Sequence, residues 1–201
     1  MKQHNNVPTP HEARKLQEVV NTIPVLSDEF FKDMLPGWSA VNVKRKEELT
    51  TTGETEQYLY FTTEGIQRCY CVHGDREATI VFTYPYSFAG VVDSFLLQKP
   101  SLLNFEALTA GRLLRISYTH LISLAELHPA FEKWLRIMLS NVLSGLLVRQ
   151  KELSMFSASE KLEALFARSP HIFNLIPDKY IASYIGVDPA TLSKMMNSIK
   201  L

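Results

Sequence analysis

The chain has 201 residues, of which 46% are hydrophobic, and a formal net charge of +0. This composition supports a sizeable core in one or two domains, which excludes a disordered protein. The balanced charge also excludes broad electrostatic capture of nucleic acid by the whole molecule. Any affinity for DNA must therefore come from a local patch.

The N-terminal segment contains two predicted helices. In residues 11–23, Leu16, Val19 and Val20 recur at helical spacing. A second helix is expected after Ser27, whose hydroxyl suits the N-cap position, and Pro36-Gly37 ends it. The segment is predicted to flank the domain that follows.

Residues 38–118 change to short runs rich in β-branched and aromatic residues, separated by turn residues. Several short strands at roughly even spacing predict a sandwich or barrel. The sequence HGDRE at 73–77 is typical of a hairpin turn. The fold class expected for the whole chain is α+β.

A long helix is predicted from Pro129 to Phe156. Its apolar residues form two stripes, one with Phe131, Leu135, Met138 and Val142, the other with Leu139, Leu143, Leu146 and Leu153. A helix that is apolar on two sides usually packs against two surfaces. These surfaces are either the β domain and a partner subunit, or two parts of a single monomer, because the stripes are not strict heptads.

The C-terminal region predicts a small helical domain. Ser157 and Glu160 fit a capping box, which starts a new helix. The stretch 180–200 then indicates two short helices around Gly186, with Asp188 capping the second and Pro189 in its first turn. We expect Leu192, Met195 and Ile199 to face inward in this helix, which gives the pattern of a helix-turn-helix.

This order of elements resembles the Crp/Fnr superfamily of bacterial transcription regulators over nearly the full length. Residues 49–70 look like the early β-roll of that family, residues 88–116 like its phosphate-binding cassette, and residues 176–195 like its DNA-binding helices. The resemblance implies a jelly-roll-like domain (1–126), a long dimerisation helix (127–156) and a helix-turn-helix domain (157–201). It also implies a homodimer that binds DNA.

The resemblance also locates a ligand pocket whose polar residues are largely replaced. Family members that bind cyclic nucleotides hold the phosphate on backbone amides after a Gly, here Gly90 followed by Val91 and Val92. They use Glu for the ribose and an Arg-Ser pair for the phosphate, and a Thr-Ser pair of the long helix contacts the base. An alignment without gaps places Val91, Ser101, Leu102, Leu146 and Leu147 at these positions. A phosphate buried against such residues costs several kcal/mol, so we predict no binding of cyclic AMP.

The recognition helix also departs from the family pattern. Arg and Glu near its start and a later Arg are replaced by Pro189, Ala190 and Lys194. The residues expected to contact DNA are therefore Thr191, Ser193, Lys194 and Asn197, with Lys179 on the flanking backbone. From residue 160 to 201 there are only five Lys or Arg against four Asp or Glu, which predicts weak binding.

Other classes of protein find less support in the sequence. We identify no nucleophile–base spacing, P-loop or metal motif, so no enzyme activity is expected. Only two cysteines occur, Cys69 and Cys71, on one predicted strand, and the histidines are scattered, so no cofactor is expected. No apolar signal core or membrane-length apolar run is present, which favours a cytoplasmic protein. The alternative to a DNA-binding regulator is a sensor or interaction module of the same fold that binds a small, more apolar ligand.

Overall fold

The computed structural model describes residues 6–198. The α-helices are α1 (Pro10–Val20), α2 (Asp28–Met34), α3 (Val92–Leu97), α4 (Tyr118–Leu127), α5 (Pro129–Met155), α6 (Ala158–Arg168), α7 (Asp178–Ile185) and α8 (Pro189–Ser198). The strands are β1 (Ser39–Val43), β2 (Glu48–Thr50), β3 (Tyr58–Glu64), β4 (Gln67–His73), β5 (Arg76–Thr83), β6 (Ser87–Ala89), β7 (Asn104–Ala107) and β8 (Gly111–Ser117). Short 3₁₀ turns follow α2 and α6, at Leu35–Gly37 and Pro170–Asn174.

Local capping interactions fix where several helices begin. The Ser27 hydroxyl accepts a hydrogen bond from the Phe30 amide at the start of α2, as predicted. Ser157 and Glu160 form both arms of the predicted capping box at the start of α6. Pro129 opens α5, whose 27 residues correspond to a length of about 40 Å.

The strands form two four-stranded sheets. One has the order β1-β8-β3-β6 and the other β2-β7-β4-β5. In the first sheet β8 pairs antiparallel with both β1 and β3, for example Leu59 opposite Ile116. The sequence order differs from the spatial order, as expected for the predicted jelly-roll-like domain.

The described residues pack as two compact units. The first contains residues 6–69 and 82–140, and the second contains residues 70–81 and 141–198. The ends of β4 and β5 and their connecting turn thus belong to the unit that holds α6, α7 and α8. The predicted division at 126/127 and 156/157 stays a prediction.

The core of the first unit unites the N-terminal helices, the β-roll and the first half of α5. Phe30, Phe131 and Trp134 stack in series, and the Trp134 ring N–H donates to the Val20 carbonyl at 2.9 Å. Met138 is also buried here. The predicted stripe of α5 that begins at Phe131 thus packs into this core up to Met138. Its last member, Val142, belongs to the second unit and is exposed.

The second unit has its own smaller core and a buried ionic cluster. Its core includes Leu162, Leu165, Ile172, Ile181, Ile185 and Leu192. The Glu152 carboxylate of α5 accepts hydrogen bonds from Arg149 on the same helix and from both terminal nitrogens of Arg168 on α6. Arg149 also stacks on the Tyr184 ring, 3.8 Å from its centroid, and donates to the Tyr184 carbonyl. This cluster connects α5 to α6 and α7.

Candidate functional site

The two helices of the predicted helix-turn-helix are α7 and α8. Gly186 ends α7 at φ +76°, and the amides of Gly186 and Val187 both donate to the Ala182 carbonyl, at 2.9 and 3.0 Å. Ala182 is buried, which allows α8 to pack close to α7. Leu192 is fully buried and Met195 is half-buried. Ile199 lies outside the described residues.

Asp188 and Thr191 form the N-terminal cap of α8. The Asp188 carboxylate accepts hydrogen bonds from the Thr191 amide at 2.9 Å and from the Thr191 hydroxyl at 2.6 Å. The bond from the Thr191 hydroxyl lowers the pKa of the Asp188 carboxyl. The cap therefore keeps a carboxylate charge at the start of α8, and the Thr191 hydroxyl keeps only its acceptor capacity for another partner.

The other candidate contact residues are exposed. Ser193, Lys194 and Asn197 lie on the outer side of α8, opposite the buried Leu192. Lys179, in the first turn of α7, is exposed and has its ammonium 4.6 Å from the centre of the Tyr180 ring. This surface offers two cations, two neutral polar groups and the acceptor oxygen of Thr191, close to the carboxylate of Asp188.

The predicted phosphate-binding position is occupied by a side chain of the protein. Gly90 has φ +115°, and a Cβ there would lie 3.2 Å from a Tyr60 ring carbon, so this position requires Gly. The next amide, that of Val91, donates to the Glu56 carboxylate at 3.4 Å. Glu56 is 1% exposed and also accepts from the Thr50 hydroxyl at 2.6 Å. Its burial raises the pKa of the carboxyl.

The residues aligned with the Arg-Ser pair do not supply donors to that position. Ser101 is buried, and its hydroxyl donates to the Leu103 carbonyl at 2.6 Å and accepts from the Leu103 amide at 3.0 Å. Leu102 is 78% exposed. Val92, which follows Val91 in the first turn of α3, is half-buried against the core. The polar groups of this region are thus engaged within the chain.

Leu146 and Leu147 lie in the second unit. Both are exposed and, with Ile80, Leu153 and Tyr184, line a largely apolar groove of about 420 Å³. They belong to an exposed apolar face of α5 in which side-chain exposure ranges from 40% to 61%. The members of this face are Val142, Leu143, Leu146, Leu147 and Leu153.

Sequence reasoning missed two polar features of these sites. Glu56 lies in a polar turn segment, and no nearby residue in the sequence indicates that it is buried. Its partner Val91 is 35 residues away. The contact between Thr79 on β5 and Ser183 on α7 spans 104 residues and likewise leaves no pattern in the sequence. The ion pair of Arg149 and Glu152 differs from these two contacts, because its three-residue spacing on α5 is typical of a helical ion pair and could have been recognised in the sequence.

The structure of residues 6–198 also bears on metal binding and membrane insertion. No group of three or more His, Cys, Asp or Glu side chains in this part of the chain is arranged to hold a metal ion. Cys69 is buried, which raises the pKa of its thiol to about 12. No described helix combines the length and hydropathy needed to cross a bilayer.

No family model matches the sequence, and no curated protein matches it significantly. Solved structures do match. FixK2 from Bradyrhizobium japonicum superposes with a TM-score of 0.73 at 17% identity, covering 81% of this chain and 84% of that chain. The c-di-GMP responsive global regulator CLP of Xanthomonas campestris superposes with a TM-score of 0.66 at 14% identity, covering 87% of this chain and 92% of that chain.

A third match is a Eubacterium rectale protein described as a transcriptional regulator of the Crp/Fnr family. It gives a TM-score of 0.68 at 14% identity, covering 87% of this chain and 84% of that chain. These likenesses rest on structure, because the identities are low. The chain therefore has the fold of Crp/Fnr-type transcription regulators, and the resemblance inferred from the sequence is confirmed at the level of the fold.

Proposed function

We propose that this protein is a DNA-binding transcription regulator of the Crp/Fnr type. The observation that carries the proposal is the α7–α8 pair, with its αL glycine, its capped second helix and an exposed polar face, in a chain with the fold of such regulators. In a helix-turn-helix, the second helix enters the major groove and its N-terminal residues reach the bases. The reading residues are then Thr191, Ser193, Lys194 and Asn197.

Each of these side chains has a defined role in the proposal. Asn197 hydrogen-bonds to base edges, as does Thr191 through its acceptor oxygen, whereas Lys194 contacts a guanine or a phosphate. Lys179 contacts the flanking backbone. Because Asp178 and Asp188 offset the two lysines, we expect specific affinity at or below the weak end of the usual range, nearer about 10⁻⁷ than 10⁻¹⁰ M.

The protein acts as a homodimer in this proposal. The exposed apolar face of α5, from Val142 to Leu153, is the surface that a second copy covers. An apolar face of this kind marks an interaction surface, and a closed two-fold assembly buries the same face on both copies. Two recognition helices would then enter major grooves about 34 Å apart.

The ligand pocket does not take cyclic AMP or cyclic GMP in this proposal. The Val91 amide already donates to a Glu56 carboxyl oxygen, so a nucleotide phosphate would have to displace that side chain. No arginine stands at position 101 to pair with the phosphate. A phosphate buried without a positive partner costs several kcal/mol, so in this proposal the fold retains the cassette without its usual ligand.

The decisive test is a salt-series binding assay against a random genomic DNA library. We expect sequence-selective enrichment that weakens as salt rises. Lys194→Ala should lower the salt slope by about one unit if Lys194 contacts phosphate, or relax one position of the site by about 1–3 kcal/mol if it contacts guanine. Lys133→Ala, an exposed lysine on the first half of α5, is the matched control.

Absence of DNA binding at low salt would overturn this function and favour the alternative, a ligand sensor of the same fold. Unchanged binding in a folded Thr191→Ala/Lys194→Ala/Asn197→Ala variant would instead move the reading surface to other residues. The two results differ, because the second leaves sequence selectivity intact.

A further inference from the structure

The Glu56 carboxyl group accepts hydrogen bonds from separate parts of the β-roll. One of its oxygens accepts from the Thr50 hydroxyl at 2.6 Å and from the Val91 amide at 3.4 Å. The other oxygen accepts from the Tyr58 amide at 3.2 Å. Glu56 and Val91 are only 1% and 2% exposed, so these donors face the carboxyl group rather than water. Buried amides require an acceptor, and here the chain itself supplies one.

The loop that carries Glu56 is fixed to the predicted phosphate-binding cassette by its backbone. The Gly53 amide donates to the Ser101 carbonyl at 2.9 Å, and the Ser101 amide donates to the Glu54 carbonyl at 2.8 Å. The Glu56 amide donates to the Ser94 hydroxyl at 3.0 Å, and Ser94 is buried. Because these bonds already position the backbone, little conformational entropy is lost when the carboxyl group reaches its donors.

The turn at Gly90 brings the backbone close to this carboxyl group. A Cβ at Gly90 would lie 3.5 Å from a Glu56 carboxyl oxygen and 3.2 Å from a Tyr60 ring carbon. Gly90 also has φ +115°, which other residues rarely adopt. The turn therefore has the shape that a backbone needs to approach an acceptor, and the acceptor beside it is the Glu56 side chain.

A side chain in this position has an advantage over a free ligand. A tethered group binds intramolecularly, with an effective concentration in the millimolar range for a short flexible tether. It also loses no translational or rotational freedom of its own on binding, whereas a free ligand loses both. Glu56 therefore outcompetes a free acceptor that makes the same hydrogen bonds, unless that ligand is present at a comparable concentration.

We propose that Glu56 is a built-in occupant of the cassette, whose carboxyl group orders the Gly90–Val91 turn without a bound effector. This statement concerns the β-roll alone. Its consequence is that DNA binding proceeds without a small molecule in the cassette, and this consequence rests on the DNA-binding function proposed above.

Chemical rescue tests the role of the side chain. Glu56→Ala removes the γ and δ carbons and both carboxyl oxygens, and acetate has the same heavy atoms in the same arrangement. NMR measures amide hydrogen exchange at Val91 in sodium acetate at about 0.1 M and in sodium chloride at equal ionic strength. The Leu114 amide, on the inner strand β8, serves as the reference for global opening. Glu54→Ala, which removes an exposed carboxylate from the same loop, is the matched control.

We expect Glu56→Ala in chloride to speed exchange of the Val91 amide relative to Leu114 by about tenfold or more, because a buried donor loses its acceptor. The midpoint of thermal unfolding should fall by at least about 4 °C. Acetate should restore most of the protection and of the thermal midpoint in this variant. The parent and Glu54→Ala should give the same exchange rate in either salt.

Rapid exchange of the Val91 amide in the ligand-free parent would overturn the proposal, whether or not the variant folds. Slower exchange in the parent on addition of cyclic AMP would also overturn it, because the turn would then need a ligand. The same holds for unchanged exchange in a folded Glu56→Ala variant, or for a defect that acetate does not reverse. None of these measurements uses DNA, so failure of the built-in occupant is distinguishable from failure of the proposed DNA binding.

Discussion

The buried carboxylate of Glu152 gives the most direct test of how the second unit is held together. Glu152 is 5% exposed and is the shared acceptor for Arg149 on α5 and Arg168 on α6. Glu152→Gln keeps the shape of the side chain but removes its charge and one acceptor oxygen. The variant therefore tests the ionic cluster without opening a cavity.

The magnitude follows from the geometry. Breaking a buried ion pair costs about 3–5 kcal/mol, and a hydrogen bond to a charged group contributes about 1.5–3 kcal/mol. The Arg168 side chain is 41% exposed, so water replaces part of its lost interaction. Arg149 remains buried but loses only a 3.4 Å contact. The expected loss in the free energy of unfolding is about 2–3 kcal/mol at pH 7.

The effect should depend on pH. Hydrogen bonding to Arg168 lowers the pKa of the Glu152 carboxyl below its usual range. Its stabilisation is fully present above the unfolded pKa of about 4.3 and is lost as the pH falls through the lowered value. The difference between parent and variant should therefore shrink below about pH 4.

Urea unfolding, followed by far-UV circular dichroism at pH 7 and again below about pH 4, measures the difference in the free energy of unfolding between parent and variant. Glu163→Gln, at an exposed carboxylate on the same helix as Arg168, is the matched control and should change stability by less than about 0.5 kcal/mol. A Glu152→Gln loss as small as that of the control at pH 7 would refute the reasoning, as would a loss that persists undiminished in acid.

Three further outcomes are expected. Light scattering should give twice the 22.9 kDa chain mass for the parent and the single mass for Leu147→Glu. Asn141→Glu, on the opposite side of the same helix, should leave the dimer unchanged, and a monomeric parent would contradict the interface. Gly186→Ala should lower the free energy of unfolding, measured with urea, by about 1–2 kcal/mol because Gly186 has a positive φ. Gly186→Asn should lower it by less, and equal losses in the two variants would argue against backbone strain. Calorimetry should detect no cyclic AMP binding at physiological concentration, and a micromolar dissociation constant would contradict the role given to Glu56.

The local parts of this fold were predictable from the sequence. The Ser27 cap, the Ser157–Glu160 box and the Asp188 cap each join residues three apart, so the residue types and their spacing determine them. Gly186 is predictable for the same reason, because only Gly adopts positive φ cheaply. These local features, with the change from helical to strand periodicity, also carried the resemblance that the solved structures confirm at the level of the fold.

The non-local contacts were decided by the tertiary structure alone. The Glu56 carboxylate reaches the Val91 amide, Arg168 reaches Glu152, and Thr79 reaches Ser183 across 35, 16 and 104 residues. Nothing in the local pattern distinguishes these polar residues from solvated ones, since each acquires its partner only when distant elements pack. The sequence specifies which side chains are present. Their burial and pairing depend on the chain topology, because it brings together groups whose separation along the chain follows no regular period.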